Sequence, residues 1–327
     1  MKWRKPVAVL CAMLLLAAAL TGCMRSGGNP APTPGANGTG MPKVPSKLKT
    51  ENGVPQLNVY NVDKKAVQRM DVEKYVQGVL AGEMRADWPM EALKAQAILA
   101  RTFVLKFVEE KKSKYDNADI STDITEAQAY DESKVNDRII KAVDETRGLV
   151  LNYNGTFPYA WFHAHAGGQT ELATKALDFK GAEPAYTESV QSPDSDRAPD
   201  SVKNWTATFT AEEVGAAAEK AGVKTGAVKT IEIGQKGDSG RAVTFKINGN
   251  SVSGPGLRIA LDPAKLKSTL VHDVSVSGGK VTFTGSGYGH GVGMSQWGAY
   301  GMAEQGAKAQ DIVLHYFRNV NVVQLWQ

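Results

Sequence analysis

The chain has 327 residues, of which 42% are hydrophobic and 22% are charged, and its formal net charge is +4. Three basic residues lie within the first five positions, and without them 35 Lys and Arg face 34 Asp and Glu. Nucleic-acid-binding proteins usually carry a clear basic excess, so this near balance excludes a nucleic-acid partner.

The N-terminus has the pattern of a secretory signal. Lys2, Arg4 and Lys5 precede the uncharged apolar run 7–20, and Leu20-Thr-Gly-Cys23 follows it. This ending resembles the bacterial lipobox, which implies that residues 1–22 are a signal peptide and that Cys23 carries a lipid. An uncleaved signal anchor is the alternative, but the run is shorter than the roughly 20 apolar residues of a membrane span. We therefore expect a body at the extracytoplasmic face of the bacterial membrane, anchored to it by lipid.

Residues 23–50 are predicted to be a flexible tether, because Gly, Pro, Ser, Asn and Thr dominate there. Such a tether lets an anchored domain reach a polymer that lies above the membrane. The chain has two cysteines, Cys11 and Cys23. Since processing removes the first and acylation uses the second, residues 51–327 are expected to form a domain stabilised by its core alone.

Two helices are predicted near the start of this domain. After a strand over residues 56–62, Asp71 caps a helix whose apolar residues recur every three or four positions. The next position on that apolar stripe is Glu83. Trp88-Pro89 then begins a second helix, which ends near Lys112.

The rest of the domain mixes strands and helices. Residues 148–153 and 156–163 flank Asn154-Gly155, which predicts a hairpin with a type I′ turn. The fold class is therefore α+β, a single body of helices and antiparallel strands that is either undivided or arranged as two lobes around a glycan cleft. The remaining predicted elements are helices over 211–220 and 310–317 and strands over 230–233, 242–247, 280–284 and 320–325.

A glycine-rich run near the C-terminus is the most informative part of the sequence. It reads Gly287-Tyr-Gly-His-Gly-Val-Gly-Met-Ser-Gln-Trp-Gly-Ala-Tyr-Gly301. Its spacing excludes the dinucleotide fingerprint G-x-G-x-x-G and the nucleophile elbow G-x-S-x-G. Because glycine lets backbone come close to a ligand, and aromatic rings offer flat faces, the run is predicted to bind a ring-shaped substrate.

Glu83 is a candidate general acid. A carboxyl group on an apolar stripe loses hydration, which raises its pKa, as a general acid near neutral pH requires. The alternative is a helix-end glutamate paired with Arg85. On the second helix, Lys94 and Arg101 share a face, and they either bind polar groups of a substrate or form ion pairs, for example with Glu83.

The histidines allow two interpretations. His163 and His165 lie two apart at a strand end, which suits either a metal site completed by His290 or the wall of a polar cleft. His290 stands between two glycines and is expected to be accessible. It either binds substrate, orients a carboxylate or is exposed on a loop without a role.

Together these segments resemble the SpoIID/LytB family. Three signatures stand in order: the helix pair over residues 71–84 and 88–103, Phe162-His-Ala-His-Ala-Gly-Gly-Gln-Thr-Glu171, and Gly289-His-Gly-Val-Gly-Met-Ser-Gln-Trp-Gly-Ala-Tyr-Gly-Met302. The family includes a sporulation lytic transglycosylase and LytB-type amidase enhancers. The resemblance implies a catalytic glutamate at Glu83, a substrate of peptide-stripped peptidoglycan strands, an amidase as a partner and no cofactor.

The expected activity is cleavage of the bond between N-acetylmuramic acid and N-acetylglucosamine, leaving 1,6-anhydro ends, in sporulation and engulfment. The rivals are a non-catalytic enhancer of an N-acetylmuramoyl-L-alanine amidase, a general glycan-binding lipoprotein and a metal hydrolase. Besides the catalytic Glu83, the residues expected to hold the sugars are Gln96, Arg101, His163, Tyr288, His290, Ser295, Gln296 and Trp297.

The sequence departs from the family pattern in two places. Some members carry a Cys/His zinc cluster in a segment like residues 119–130, but its cysteine positions fall on Ser121 and Ala127. No metal is therefore expected. The sporulation enzyme has a membrane-spanning N-terminus, whereas this chain resembles a lipoprotein.

Overall fold

A computed structural model describes residues 40–327. The predicted signal peptide, the lipidation site Cys23 and residues 24–39 of the predicted tether lie outside the described residues. The rest of that tether lies against the body: Leu48 is buried, and Nζ of Lys47 donates to the carbonyl of Lys111 at 2.9 Å.

The N-terminal part forms a small sheet followed by two helices. Strands β1 (Thr50–Glu51), β2 (Val54–Asn61) and β3 (Ala66–Asp71) are antiparallel neighbours in that order. Asp71 then accepts the N–H of Lys74 at 2.7 Å and caps α1 (Val72–Glu83), as predicted. The second predicted helix is also confirmed as α2 (Met90–Glu110), which begins after Pro89.

The middle of the large lobe contains short elements. β4 (Ile120–Ser121) pairs in parallel with β2. A 3₁₀ turn (Glu132–Lys134) precedes α3 (Asp137–Asp144), and β5 (Leu149–Asn152) follows. The next elements are β6 (Phe162–His163), α4 (Ala173–Ala176) and α5 (Asp200–Lys203).

Residues 205–285 form a second lobe. Its elements are β7 (Trp205–Thr210), α6 (Ala211–Lys220), β8 (Ile231–Ile233), β9 (Thr244–Ile247), β10 (Asn250–Ser253), α7 (Gly254–Ala260), β11 (Val271–Ser277) and β12 (Lys280–Gly285). They make two antiparallel sheets, ordered β10-β9-β8 and β11-β12-β7. Along β7 buried and exposed residues alternate, as expected for a strand with one face on a core.

The chain then returns to the large lobe. The last elements are β13 (Met294–Ser295), α8 (Gln296–Glu304), α9 (Ala309–Tyr316) and β14 (Asn321–Gln324). Two separate hydrophobic cores result, one from residues 48–186 and 292–326 and one from residues 205–283. The mixed α+β class with two lobes is confirmed. Between residues 40 and 327, no helix is long and apolar enough to cross a membrane.

The predicted hairpin after Gly148 is correct only in its turn. Asn154 and Gly155 have φ of 51° and 83°, as a type I′ turn requires. The predicted second strand does not pair with β5, which pairs instead with β14. Pro158 lies in that segment, and proline has no N–H to donate to a ladder. Only β6 remains as a strand, and it pairs in parallel with β13.

Candidate functional site

Three segments that are distant in sequence meet at Glu83, the last residue of α1. The side chain is buried, with 6% exposure. Its Oε1 accepts the N–H of Ala129 at 2.8 Å, and Nε2 of Gln296 lies 3.5 Å from both Oε2 and the backbone oxygen of Glu83. Arg85, the alternative partner considered for Glu83, binds Asp87 at the surface.

Two glycines of α1 allow the 127–131 segment to lie directly on the helix. A Cβ on Gly82 would approach the backbone of Ala129 and Tyr130 to 2.7 Å. One turn earlier, a Cβ on Gly78 would overlap the ring of Tyr130. The N–H of Asp131 also donates to the carbonyl of Gly78 at 2.9 Å. These small positions therefore bring the Ala129 amide within reach of the carboxylate.

Gln296 is positioned by the N-terminus of α8. The hydroxyl of Ser295 accepts the N–H of Gly298 at 3.1 Å and so caps this helix. The same hydroxyl donates to Oδ1 of Asp194 at 2.5 Å. Ser295, predicted to bind sugar, therefore has its hydroxyl engaged in holding α8, and it acts on the site through its neighbour Gln296.

An aromatic cluster stands beside α8. The ring of Trp297 lies 4.4 Å from that of Trp88 and 5.2 Å from that of Tyr300, centroid to centroid. On another side Trp297 packs against a small apolar group that includes Tyr288. Nζ of Lys267 lies 5.7 Å from the centre of the Tyr288 ring. Two of the predicted sugar-binding rings are thus brought together.

The glycine-rich run forms a buried loop that lies on the segment around β6. Alternate glycines at 287, 289, 291 and 293 all have positive φ, between 68° and 105°. Gly289 shows why: a Cβ there would stand 2.7 Å from Cβ of His163. The backbones of Tyr288 and His165 exchange hydrogen bonds at 2.9 and 3.0 Å. The glycines therefore serve close packing of protein on protein.

The expectation that His290 is accessible is wrong. Its flanking glycines let the loop sink into the protein, so His290 is buried with 9% exposure, and its ring lies 5.5 Å from that of His163. Nδ1 of His163 lies 3.2 Å from the carbonyl oxygen of Val292, and Nδ1 of His290 accepts the N–H of the same residue at 3.0 Å.

These backbone contacts fix the two rings as opposite tautomers. A carbonyl only accepts, so Nδ1 of His163 carries the proton and its Nε2 is an acceptor in the neutral ring. An N–H only donates, so Nδ1 of His290 is bare and its Nε2 carries the proton. Both Nε2 atoms are buried; that of His163 makes no hydrogen bond within residues 40–327, whereas a backbone hydrogen bond with Phe162 raises the pKa of His290 against the effect of burial. The two Nε2 atoms are thus one acceptor and one donor, and the backbone of Val292 orients both rings.

Burial keeps both rings neutral. Loss of hydration, with help from the buried Arg258 and Arg241 guanidinium groups, lowers the pKa of His290 to about 3. Burial also lowers the pKa of His163 well below its usual range, and His290 and Arg241 add to this effect. Burial likewise lowers the pKa of Arg241 to about 10, opposed by Glu171 and Asp194.

Asp194 joins two of the sequence signatures. Its carboxylate accepts hydrogen bonds from the N–H groups of Ala166 and Gly168 and from the hydroxyl of Ser295. His165 lies against the same carboxylate, with 3.5 Å between Nδ1 and Oδ2. His165 is therefore part of a structural cluster that holds the β6 segment next to β13.

Arg101 lies in the core, where it forms an ion pair. Its guanidinium makes three hydrogen bonds to Glu73 through Nε and Nη2, with Nη2 2.6 Å from Oε2, and both side chains are buried. Glu73 also accepts the N–H of Gly148 and the indole N–H of Trp326. The geometry therefore gives Arg101 a structural role in place of the predicted contact with sugar. Lys94 pairs with Glu91 and Glu145.

Gln96 is fully buried on α2, and its amide makes no hydrogen bond within the described part of the chain. The amide of Gln128, next to Ala129, is likewise buried and makes no hydrogen bond within that part. Buried polar groups are normally satisfied, so these amides mark places where water or a ligand would bind. Gln96 thus keeps its predicted role as a candidate, and Gln128 joins it.

Several site residues were missed in the sequence. Ala129 acts through its backbone, and Arg241 comes from the second lobe to bind the carbonyls of Ala166 and Gln169. Neither lies in a recognisable motif. Asp194 lies in Ser192-Pro-Asp-Ser195, a polar segment whose composition predicts a loop but not a role in the site. Over residues 40–327 no group of three or more His, Cys, Asp or Glu is arranged to hold a metal ion.

Comparison with known proteins gives matches over most of the chain. Residues 60–153 match a family described as Stage II sporulation protein, and residues 179–293 match a domain of unknown function. The chain is 34% identical over 282 residues to Stage II sporulation protein D of Bacillus amyloliquefaciens, covering 81% of this chain and 77% of that protein. For the Bacillus subtilis protein of the same name the identity is 32% over 287 residues, covering 81% and 78%.

A further relative carries a different name. The chain is 29% identical over 289 residues to a Bacillus subtilis protein named amidase enhancer, covering 74% of this chain and 39% of that longer protein.

Proposed function

From the premise that this chain belongs to the SpoIID/LytB family, we propose that it is a peptidoglycan lytic transglycosylase with Glu83 as its single acid and base. The observation that supports the proposal is the placement of Glu83. A buried carboxyl group stands where α1, the 127–131 segment and α8 meet, and the Ala129 amide fixes its orientation through Oε1. We also propose that the protein is anchored by lipid at Cys23 outside the cytoplasm.

In the proposed reaction, protonated Glu83 gives its proton to the oxygen between N-acetylmuramic acid and N-acetylglucosamine, and the bond from that oxygen to C1 breaks. The carboxylate then takes the proton of the muramyl 6-hydroxyl as that oxygen attacks C1 and closes the 1,6-anhydro ring. Ordinary glycosidases need a second carboxylate to activate water or to attack carbon. Here the nucleophile is tethered to the reacting sugar, which replaces that second group.

The rest of the site offers aromatic rings and uncharged polar groups of the kind that bind sugars. Trp297, Tyr300 and Trp88 offer aromatic surface beside Gln296. The neutral rings of His163 and His290 are buried beneath the glycine-rich loop and add no charge to the site.

A second candidate function is enhancement of an amidase without catalysis. The contact from Ala129 favours it, because a carboxylate that anchors a loop also has a structural use. The similarity to a protein named amidase enhancer points the same way. In this reading Glu83 shapes a glycan-binding surface, and a cell-wall amidase is the partner.

Mass spectrometry of peptide-free glycan strands separates the two functions. Residues 40–327 are incubated with the strands, and wild type is compared with Glu83→Gln. Transglycosylase activity releases fragments with anhydro ends from wild type only. Intact strands in every sample, with binding retained, would reject the enzyme and leave the enhancer.

The Gln substitution is chosen because its Oε1 still accepts the Ala129 N–H, so the loop stays in place. Asp87→Asn is the matched control. Asp87 is an exposed carboxylate four residues further on, paired with Arg85, and its loss should leave product release unchanged.

A further inference from the structure

A cavity lined by aromatic rings lies in the large lobe, between α2 and the segment that leads into β6. It encloses about 210 Å³. Charged side chains also line it, among them Lys106 and Glu110 from α2 and Glu126. The aromatic residues that line it are Phe103, Phe107, Tyr159, Trp161 and Phe179. We call it the α2 cavity.

The rings of the α2 cavity are held in place before any ligand binds. Tyr159 and Trp161 stack at 5.0 Å, and Phe179 stands edge-on to both, at 5.7 and 5.5 Å. The hydroxyl of Tyr159 donates to Glu110 at 2.8 Å, and Lys106 bonds to the same carboxylate and lies over the Tyr159 ring. Because the walls are preformed, little side-chain freedom is lost on binding.

The α2 cavity is connected to the candidate site through two short segments. Ala127 lines the cavity, and Ala129 binds Glu83. Two residues span at most roughly 7 Å of chain. On the opposite wall Trp161 leads directly into β6, whose partner β13 precedes Gln296. The cavity therefore lies within reach of a polymer engaged at Glu83.

The lining indicates the class of ligand. Small-molecule pockets combine apolar and aromatic walls with a few fixed polar groups. Here the lining combines aromatic rings with charged groups, and Lys106, Glu110 and the Tyr159 hydroxyl are fixed by bonds to one another. A pyranose ring has the matching surface, with C–H groups on its faces and polar groups at its rim. The cavity volume suits one such ring.

We propose that the α2 cavity is a saccharide subsite, which binds an N-acetylated sugar of the same strand that Glu83 engages, beyond the sugars at the scissile bond. The position of the strand rests on the proposed function. Phe179 contributes affinity only to strands that extend from Glu83 into the cavity.

The test measures how affinity depends on strand length, in the Glu83→Gln background so that no strand is cut. Peptide-free oligosaccharides of increasing length, from two to ten sugars, are titrated by calorimetry against Glu83→Gln and against Glu83→Gln with Phe179→Ala. The parent should gain about tenfold in affinity once a strand reaches the cavity. The Phe179 variant should lose that gain and still bind the shortest strand as the parent does.

Two further variants distinguish loss of the cavity from misfolding of the protein. Ala127→Met fills the cavity without removing a ring and should abolish the same gain. Leu314→Ala removes an exposed apolar side chain on α9, away from the cavity, and should keep the gain. The subsite is rejected if Phe179→Ala and Ala127→Met both keep the gain, or if Phe179→Ala weakens strands of every length equally. Cavity variants that keep all glycan affinity but lose affinity for a partner amidase would also overturn it, in favour of a protein-binding pocket.

The outcome is separable from that of the proposed function. If wild type leaves strands intact, the transglycosylase fails, while the length dependence in the Glu83→Gln background still reports on the cavity. If wild type releases anhydro ends but the Phe179 variant keeps the length dependence, only the subsite fails.

Discussion

Oε1 of Glu83 accepts the backbone N–H of Ala129 at 2.8 Å, so the carboxyl group proposed to move protons also holds the loop beside it. Glu83→Ala removes this acceptor and should lower the free energy of unfolding by about 1 kcal/mol. Glu83→Gln keeps the acceptor and should change it much less. Urea titration of both variants measures the difference, and equal losses would show that the hydrogen bond adds no stability.

The ion pair between Arg101 and Glu73 should be a large contributor to stability. Arg101→Met leaves the Glu73 carboxylate buried without its partner, which costs about 3–5 kcal/mol. Lys94→Ala, on the same helix but with a partly exposed side chain, should cost less than about 1 kcal/mol. Urea unfolding compares the two. A small loss for Arg101→Met, together with weakened glycan binding, would restore the sugar-binding role predicted from the sequence.

The buried histidines should make the protein sensitive to acid. The pKa of His290 is about 3 in the folded chain and about 6.5 when unfolded. The unfolded chain therefore binds more protons between these values, and stability falls as pH drops from about 6.5 towards 3.

Each such histidine contributes up to about 1.4 kcal/mol per pH unit in that range. His290→Asn keeps an acceptor for the N–H of Val292 and should reduce the slope of unfolding free energy against pH by about one proton. His272→Asn, at an exposed position, is the control. An unchanged slope in His290→Asn would mean that this ring does not titrate as described.

Gly291 should tolerate no side chain. Its φ is +86°, and a Cβ would overlap the guanidinium of Arg241, which the carbonyls of Ala166 and Gln169 hold in place. Gly291→Ala combines backbone strain with this overlap and should cost more than about 2 kcal/mol.

Gly306 provides the matched control for Gly291. It has a similar φ of +91°, but a Cβ there would meet nothing within 4 Å. Gly306→Ala should therefore lower the free energy of unfolding by the cost of backbone strain alone, about 1 kcal/mol. Thermal unfolding of both variants isolates the cost of the overlap, and equal losses would show that Arg241 moves freely.

Local patterns in the sequence were sufficient for much of the fold. The cap at Asp71, the apolar stripe of α1 and the start of α2 depend on neighbouring residues, and the structure has all three. The second strand of the hairpin was predicted wrongly because its pairing depends on β13, about 130 positions away. Periodicity carries no information about such distant partners.

For the candidate site, too, local patterns predicted some features and distant contacts decided the others. The apolar stripe predicted that Glu83 is buried, and the structure confirms that position. The sequence did not show that Arg101 pairs with Glu73, because residues 28 positions apart share no local pattern. The accessibility of His290 was predicted wrongly because glycines admit backbone as readily as ligand, and here backbone fills the space.

The second lobe starts and finishes on neighbouring strands, with Trp205 opposite Gly285. An insertion whose two ends lie side by side can grow, shrink or be exchanged during evolution without displacing what surrounds it. Contacts back to the large lobe limit that freedom: Ser239 bonds to Glu171, Ser253 bonds to Asp178, and Arg241 extends to the segment around β6 and packs beneath the glycine-rich loop. Any replacement for this lobe would have to supply an equivalent cation at the same place, or the loop carrying His290 would lose its support.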